Sequence, residues 1–216
     1  MIAKRKEGKS VLFVTLELTE KQLLARVASS LTGINFKAII TGNTTEEEQA
    51  TIAAAMEDFH NLPGDLLIVA EPMSSDEFLT LIATVKTSHD IAIVFLDYIN
   101  ILDIVGGWEE LQTLARKLHR QAKQSGVPVV TAVQVEIEKE SKNGKPPVIK
   151  ARGSKELYNS STLFLFLDNA LAESSTDMGI ICWSTKNRNA ATAGFLLEKN
   201  FKVMRFESVM PLEVAE

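Results

Sequence analysis

The chain has 216 residues, of which 45% are hydrophobic and 24% charged, a composition typical of a globular protein that excludes a disordered one. Its formal net charge of −5 means that any nucleic-acid contact must be local rather than a property of the whole surface. A single cysteine, Cys182, excludes an internal disulfide, no apolar run approaches the roughly 20 residues that span a bilayer, and the first ten residues lack a signal-peptide core, so the sequence predicts a cytoplasmic protein.

Apolar runs alternate with amphipathic stretches through the first 134 residues, and this alternation predicts a parallel sheet with helices on both faces. Capping residues mark where the helices begin. The predicted elements are, in order, a helix end closed by Gly8, a strand over Val11–Leu16, a helix from Thr19, a helix from Thr44 or Thr45, a strand over Leu66–Ala70, a helix of about twelve residues from Ser74 or Ser75, a strand over Ile91–Leu96, a helix over Trp108–Ser125 and a strand over Val127–Val133.

The run Ile91–Leu96 has six apolar residues without a break, which predicts a strand buried on both faces, and Asp97 follows it at once. In open α/β sheets the ligand binds outside the carboxyl ends of the strands. Nucleotide-hydrolysing folds use a carboxylate in this place to hold Mg²⁺ on a phosphate chain. A cap for the following turn is the alternative role for Asp97.

Two further strands are predicted to deliver polar groups to the same edge of the sheet: Glu17 after the first and Gln134 after the last. A glutamate can orient an attacking water, and a glutamine amide can sense a phosphate or a water. Strand ends can also be polar simply because they meet solvent. Three such residues on parallel strands favour a functional site.

The segment from Lys139 to Lys155 carries six basic residues against one acidic residue, a local charge of +5. It contains Gly144, Pro146 and Pro147 and has no periodicity before Val148, which predicts a flexible basic loop. Such a loop is suited to contacting the phosphates of single-stranded nucleic acid, although a solvated loop is the commoner role of a charged run.

After this segment, short apolar runs with close turns predict an antiparallel extension over Thr162–Leu167, Gly179–Trp183, Gly194–Leu197 and Val203–Phe206. Lys186 and Arg188 lie two residues apart in the stretch STKNRNAATAG, so on an extended strand they point the same way. Two cations on a hairpin can neutralise phosphate charge, or they can form an ordinary solvated pair.

Taken together, these motifs resemble the RecA-like motor domain of hexameric DnaB-type replicative helicases, from about Ser10 to Phe206. The resemblance is carried by five stretches in the family's order: VLFVTLELTEKQLLARV, LDYINIL, LARKLHRQAKQSGVPVVTAVQ, RGSKELYNSSTLFLFL and STKNRNAATAG. It implies a three-layer α/β fold over residues 1–216, with a mostly parallel central sheet and an antiparallel carboxyl-terminal extension.

The resemblance also implies roles for particular residues. Glu17 corresponds to the catalytic glutamate, Asp97 to the Mg²⁺ carboxylate and Gln134 to the sensor glutamine, while Lys186 and Arg188 would act on the nucleotide of a neighbouring subunit. The implied DNA-binding residues are Lys150, Arg152, Gly153, Ser154 and Lys155. The implied cofactors are ATP and Mg²⁺, the implied partner is single-stranded DNA, the implied assembly is a hexameric ring, and the implied setting is a bacterial cytoplasm or a phage-infected host.

The sequence departs from the family at the phosphate loop, GxxxxGK[ST], which should precede the Glu17 strand. Gly8-Lys9-Ser10 imitates its end, but Ala3 stands where the first glycine belongs, and a strand is predicted where a helix is required. Smaller departures follow the sensor glutamine, where Val135-Glu136 replaces the usual Asn-Arg, and the hairpin, where Ala190 replaces a glycine. We therefore expect the chain alone to bind ATP poorly.

Three explanations remain open for a motor domain without its phosphate loop. The chain can be a fragment, whether engineered or the product of a split gene whose upstream polypeptide carries the loop. It can be a paralogue without catalysis that binds single strands or a helicase partner. It can also hold its nucleotide in another way. A RecA-like recombination or clock-type ATPase is a further alternative, which the LDYINIL and KNRN stretches disfavour.

Overall fold

A computed structural model describes residues 1–102, 107–134, 137–139, 148–149, 154–168 and 179–212. The chain divides into two compact units, Met1–Gln134 and Val135–Glu216, and each is described by itself. The prediction that residues 1–216 act as a single motor domain stays a prediction.

The first unit is built on a parallel sheet of four strands in the order β2-β1-β3-β4, which confirms the predicted α/β class. Its strands are β1 (Ser10–Thr15), β2 (Leu66–Val69), β3 (Ile91–Asp97) and β4 (Val129–Thr131). Its helices are α1 (Ile2–Lys6), α2 (Glu20–Thr32), α3 (Phe36–Thr41), α4 (Glu46–His60), α5 (Ser75–Ser88) and α6 (Gly107–Ser125), with a 3₁₀ turn over Ile99–Ile101.

Three of these helices begin with a capping box. Thr19, Thr45 and Ser74 are the N-cap residues of α2, α4 and α5, and in each case the third helical residue returns a bond to the cap. Hydrogen bonds from the backbone and the hydroxyl of Ser74 lower the pKa of Glu77. The sequence left open whether α4 begins at Thr44 or Thr45 and whether α5 begins at Ser74 or Ser75. The structure shows that the caps are Thr45 and Ser74.

The core of the first unit lies around the two central strands. Val11, Val14 and Val94 are completely buried, and Phe78 of α5 and Leu114 of α6 are at most 1% exposed. The unbroken apolar runs in β1 and β3 thus correspond to strands covered on both faces.

The fourth strand is shorter than predicted. Instead of Val127–Val133 it covers Val129–Thr131, and Val130 is 47% exposed. Pro128 has no N–H to give to a ladder, and β4 is the last strand in the sheet order, so less of the run is paired. Helix α3 was not predicted at all, because six residues are too few to show helical periodicity.

A buried arginine fixes the amino-terminal helix. Arg5 is 4% exposed, and its guanidinium donates to the carbonyl oxygens of Gly64 at 2.6 Å and Phe59 at 2.8 Å while lying 4.6 Å from the Phe59 ring centroid. Burial lowers the pKa of Arg5. A Cβ atom on Gly64 would lie 2.0 Å from the carbonyl oxygen of Lys9, so only glycine fits where these backbones cross.

The second unit contains two antiparallel sheets, which confirms the predicted antiparallel extension. Strands β5 (Ile137–Lys139) and β6 (Val148–Ile149) form a small hairpin, and helix α7 covers Ser154–Ser160. The larger sheet has the order β10-β9-β8-β7, from β7 (Leu163–Asp168), β8 (Gly179–Asn187), β9 (Gly194–Asn200) and β10 (Arg205–Leu212).

The alternating sequence of β7 is reflected in its burial. Phe164 and Phe166 are 9% exposed, whereas Leu163, Leu165 and Leu167 are each about half exposed. β7 is the last strand in its sheet order. None of the described helices is both long enough and apolar enough to cross a membrane.

Candidate functional site

The structure brings the ends of three neighbouring strands to one edge of the parallel sheet. Thr15 of β1 pairs in register with Asp97 of β3, and the N–H of Leu16 donates to the carbonyl oxygen of Asp97 at 2.9 Å. Thr131, at the end of β4, pairs with Leu96. Glu17, Asp97 and Gln134 therefore leave the sheet at its carboxyl edge, where parallel α/β folds bind ligands.

A buried threonine shapes the turn that carries Glu17. Thr15 is completely buried, and its hydroxyl oxygen accepts a hydrogen bond from the N–H of Leu18 at 3.0 Å. This bond closes the turn at the end of β1 and leaves Glu17 exposed. Our sequence reasoning missed Thr15, although a hydroxyl residue closing an apolar strand is a recognisable turn signal.

Gln134 is tied to the segment that follows Asp97. Its side-chain amide lies 3.4 Å from the Tyr98 hydroxyl, and its N–H donates to the Asn100 side-chain oxygen at 3.4 Å. The N–H of Ile99 also donates to the carbonyl oxygen of Ala132 at 3.3 Å. Tyr98 and Asn100 thus link the two strand ends.

The donor set at this edge fits part of a magnesium–nucleotide site. Mg²⁺ in such sites is held by one or two carboxylates together with phosphate oxygens and waters, and Asp97 and Glu17 offer carboxylates of this kind. The described part of the chain contains no cluster of three or more His, Cys, Asp or Glu that would hold a metal by itself. A phosphate chain would therefore have to complete the coordination.

Gly8-Lys9-Ser10 lies at the opposite edge of the sheet. Ser10 begins β1, its N–H donates to the carbonyl oxygen of Asp90 at 2.9 Å, and Asp90 directly precedes β3. The Lys9 ammonium bonds the Asp90 carboxylate, which raises the pKa of Lys9. Since a strand and not a helix follows, this segment is not a phosphate loop, as the sequence indicated.

In the second unit, Lys186 and Arg188 both contact the carboxyl-terminal end of helix α7. The Lys186 ammonium donates to the carbonyl oxygens of Tyr158 at 2.5 Å and Asn159 at 2.8 Å, and the Arg188 guanidinium donates to Asn159 at 2.8 Å. Burial and the neighbouring Arg188 charge lower the pKa of Lys186. The two cations therefore point the same way, as the spacing predicted.

The side chain of Tyr158 lies against Lys186. Its ring centroid lies 5.1 Å from the Lys186 ammonium and 5.3 Å from the Phe164 ring, and its hydroxyl donates to the carbonyl oxygen of Thr185 at 2.9 Å. Sequence reasoning gave no role to Tyr158, because nothing in its local sequence shows that it contacts a residue 28 positions away.

The predicted DNA-binding residues are only partly covered by the structure. Lys150, Arg152 and Gly153 lie outside the described residues, as do Val135 and Glu136 after the sensor glutamine. Ser154 and Lys155 are the first two residues of α7. Their contact with DNA stays a prediction.

Solved structures resemble this chain along most of its length. One solved ATPase domain superposes with a TM-score of 0.80 at 17% sequence identity, covering 97% of this chain and 79% of that one. A DnaB-like replicative helicase, solved in a study of its interactions with primase, gives a TM-score of 0.78 at 18% identity, covering 94% and 51%. The fold is thus that of the RecA-like ATPase domains of replicative helicases.

Sequence comparison identifies the family. The DnaB-like helicase C-terminal domain family matches residues 1–208, so the chain belongs to that family. It is 22% identical over 205 residues to a probable plasmid replicative DNA helicase of Chlamydia trachomatis, covering 91% of this chain and 44% of that protein. It is 25% identical over 184 residues to the replicative DNA helicase DnaB of Pasteurella multocida, covering 81% and 39%. The chain spans less than half the length of these relatives.

Proposed function

We propose that this chain is the greater part of the motor domain of an ATP-dependent hexameric DNA helicase that translocates on single-stranded DNA and unwinds duplex. The observation that carries the proposal is the convergence of Glu17, Asp97 and Gln134 on one sheet edge in a member of the DnaB family. The cytoplasm of a bacterium or of a phage-infected host is the proposed setting, in keeping with the replicative helicases to which the chain is similar.

In this proposal each residue has a separate task. Asp97 holds Mg²⁺, Glu17 orients the attacking water, and Gln134 passes the state of the nucleotide to the DNA-contact segment that contains Lys150 and Arg152. Lys186 and Arg188 neutralise phosphate charge on a neighbouring subunit's nucleotide. A strand–loop–helix segment with a phosphate loop would complete the site.

The test compares the rate of ATP hydrolysis by the complete wild-type assembly with that of the assembly carrying Arg188→Ala. Since a cation that acts in trans contributes about 10³–10⁵ in rate in other phosphoryl-transfer systems, Arg188→Ala should abolish hydrolysis while DNA binding persists. Near-normal turnover of the Arg188→Ala assembly would refute the role in trans.

A second candidate function is supported by the bond between Lys9 and Asp90. Within the described residues, Gly8-Lys9-Ser10 is the only segment that resembles a phosphate loop, and this bond holds it at the sheet edge opposite Asp97. In this version the chain is a non-catalytic module that binds single strands or a helicase partner. Salt-dependent single-strand binding that is weakened by Lys150→Ala and Arg152→Ala, with no hydrolysis even beside an upstream polypeptide, would favour it.

A further inference from the structure

Helix α6 of the first unit has one buried face and one strongly basic face. Leu111, Leu114, Ala115 and Leu118 are at most 6% exposed and face the core. The exposed residues of α6 from Glu109 to Gln124 are Glu109, Thr113, Arg116, Arg120, Lys123 and Gln124. We call Arg116, Arg120 and Lys123 the α6 stripe, because their spacing of four and three residues places them in one row.

The α6 stripe is exposed, and its cations are unpaired within the described residues. None of the three forms a hydrogen bond or an ion pair with the part of the chain that the structure describes, whereas Lys117 beside them bonds Asp76 at 2.9 Å. A rise of 1.5 Å per residue spreads the row over about 10 Å. An open depression of about 380 Å³ lies beside the first two of these cations and is lined by Thr113, Arg116, Lys117 and Arg120.

The composition of this face fits a phosphate backbone better than a protein surface. Protein–protein interfaces are built around an apolar core, and no apolar side chain is exposed on α6 between Glu109 and Gln124. Phosphate recognition needs only cations and neutral donors, and Gln124 flanks the stripe with an exposed amide. The acidic exception, Glu109, lies almost two turns before Arg116.

The arrangement also fits one strand better than two. The cations form a single row, and Asp76, whose side chain is 78% exposed, lies beside Lys117 at its flank. A duplex presents a second row of phosphates, and Lys117, the next cation on this face, is already paired with Asp76. A single strand can follow the row alone.

We propose that the α6 stripe is a second binding site for the backbone of single-stranded DNA, separate from the predicted contact segment at residues 150–155. It rests on the proposed function only in that the ligand is DNA, since it requires neither ATP nor a hexamer. Binding there is expected to depend little on base sequence, because contacts with phosphates carry no sequence information.

The test is fluorescence anisotropy of a labelled oligothymidylate with the full chain, over about 50 to 200 mM salt. The variant Arg116→Gln/Arg120→Gln/Lys123→Gln is compared with wild type and with a matched control, Lys21→Gln/Lys37→Gln/Lys202→Gln. The control removes the same charge from exposed lysines on other elements. Circular dichroism checks that all three proteins are folded.

Each phosphate contact with a single strand contributes about 0.7 to the slope of log affinity against log salt. Loss of the α6 stripe should therefore flatten that slope by about 2, while the control leaves it close to the wild-type value. The proposal would be overturned if the stripe variant had the same slope as the control, or if the wild-type chain showed no salt-dependent binding. It would also be overturned if the stripe variant lost as much affinity for duplex DNA as for single-stranded DNA.

The predicted contact segment is tested separately with Lys150→Ala/Arg152→Ala. If this variant loses all binding and the stripe variant loses none, the proposed function stands and the second site does not. If the stripe variant alone flattens the slope, the second site stands and the role of residues 150–155 fails.

Discussion

The ammonium group of Lys186 lies 2.8 Å from the main-chain carbonyl oxygen of Asn159, and it bonds the carbonyl of Tyr158 as well. The last carbonyls of a helix carry partial negative charge, so cations stabilise this position. Because Arg188 uses the same Asn159 oxygen, both predicted trans-acting cations are held at one helix end within their own unit. If they act on a neighbouring subunit's nucleotide, as proposed, their bonds to these carbonyls have to loosen or break.

Tyr158 should therefore stabilise the second unit in two separable ways. Tyr158→Phe removes only the hydroxyl that bonds Thr185, and we expect a loss of about 1 kcal/mol in the free energy of unfolding. Tyr158→Leu also removes the ring beneath Lys186 and beside Phe164, and it should cost about 2–3 kcal/mol. Urea denaturation measures both, and equal losses would show that the ring contributes nothing.

Thr15 should fix the turn that presents Glu17. Thr15→Val keeps the volume but deletes the hydroxyl that accepts from Leu18, so we expect a loss of about 1–2 kcal/mol. Thr15→Ser retains the acceptor and is the control. Thermal unfolding measures the stability of the three proteins. A Thr15→Val protein as stable as wild type would show that the Thr15 hydroxyl does not stabilise the turn.

Gly64 should be the least replaceable glycine among those that the structure characterises. Gly64→Ala puts a methyl group 2.0 Å from the Lys9 carbonyl oxygen, and we expect a loss above about 3 kcal/mol or failure to fold. Gly42→Ala is the matched control, because its φ is +76° but no atom lies within 4 Å of the added carbon. It should cost about 1–2 kcal/mol. Similar losses at the two sites, measured by urea denaturation, would contradict the close approach.

Cys182 should report unfolding of the second unit. Its side chain is buried in β8, and burial raises the pKa of the thiol, so little thiolate forms at neutral pH. We expect slow reaction with a disulfide reagent in buffer and fast reaction in urea, with a midpoint that follows the circular dichroism. As the only cysteine in the chain it gives a single signal, and rapid labelling of the native protein would show that β8 opens readily.

The parallel sheet could be predicted from the sequence because its central strands are buried on both faces. Ser10–Thr15 and Ile91–Asp97 differ from the predicted strands by one residue at their ends. Three strands of the antiparallel sheet are longer than predicted, whereas β7 is shifted by one residue. In β9, pairing with β10 extends the strand through Glu198 and Lys199, which are polar and give no apolar signal.

The positions of the site residues followed from strand order, but the contacts that hold them did not. The sequence placed Glu17, Asp97 and Gln134 at one edge because the carboxyl ends of parallel strands coincide. The contacts of Tyr98 with Gln134, and of Tyr158 with Lys186, join residues 36 and 28 positions apart in the chain. Local patterns carry no information about such pairs.

The central claim is that this sheet edge supplies the carboxylates of a nucleotide site but not the cradle for its phosphates. A calorimetric titration of the chain with ATP and Mg²⁺ tests it most directly, with Asp97→Asn as the control. We expect no saturable binding in the micromolar range for either protein. A micromolar dissociation constant for the wild-type chain that is lost in Asp97→Asn would contradict it, because the chain would then hold its nucleotide without a phosphate loop.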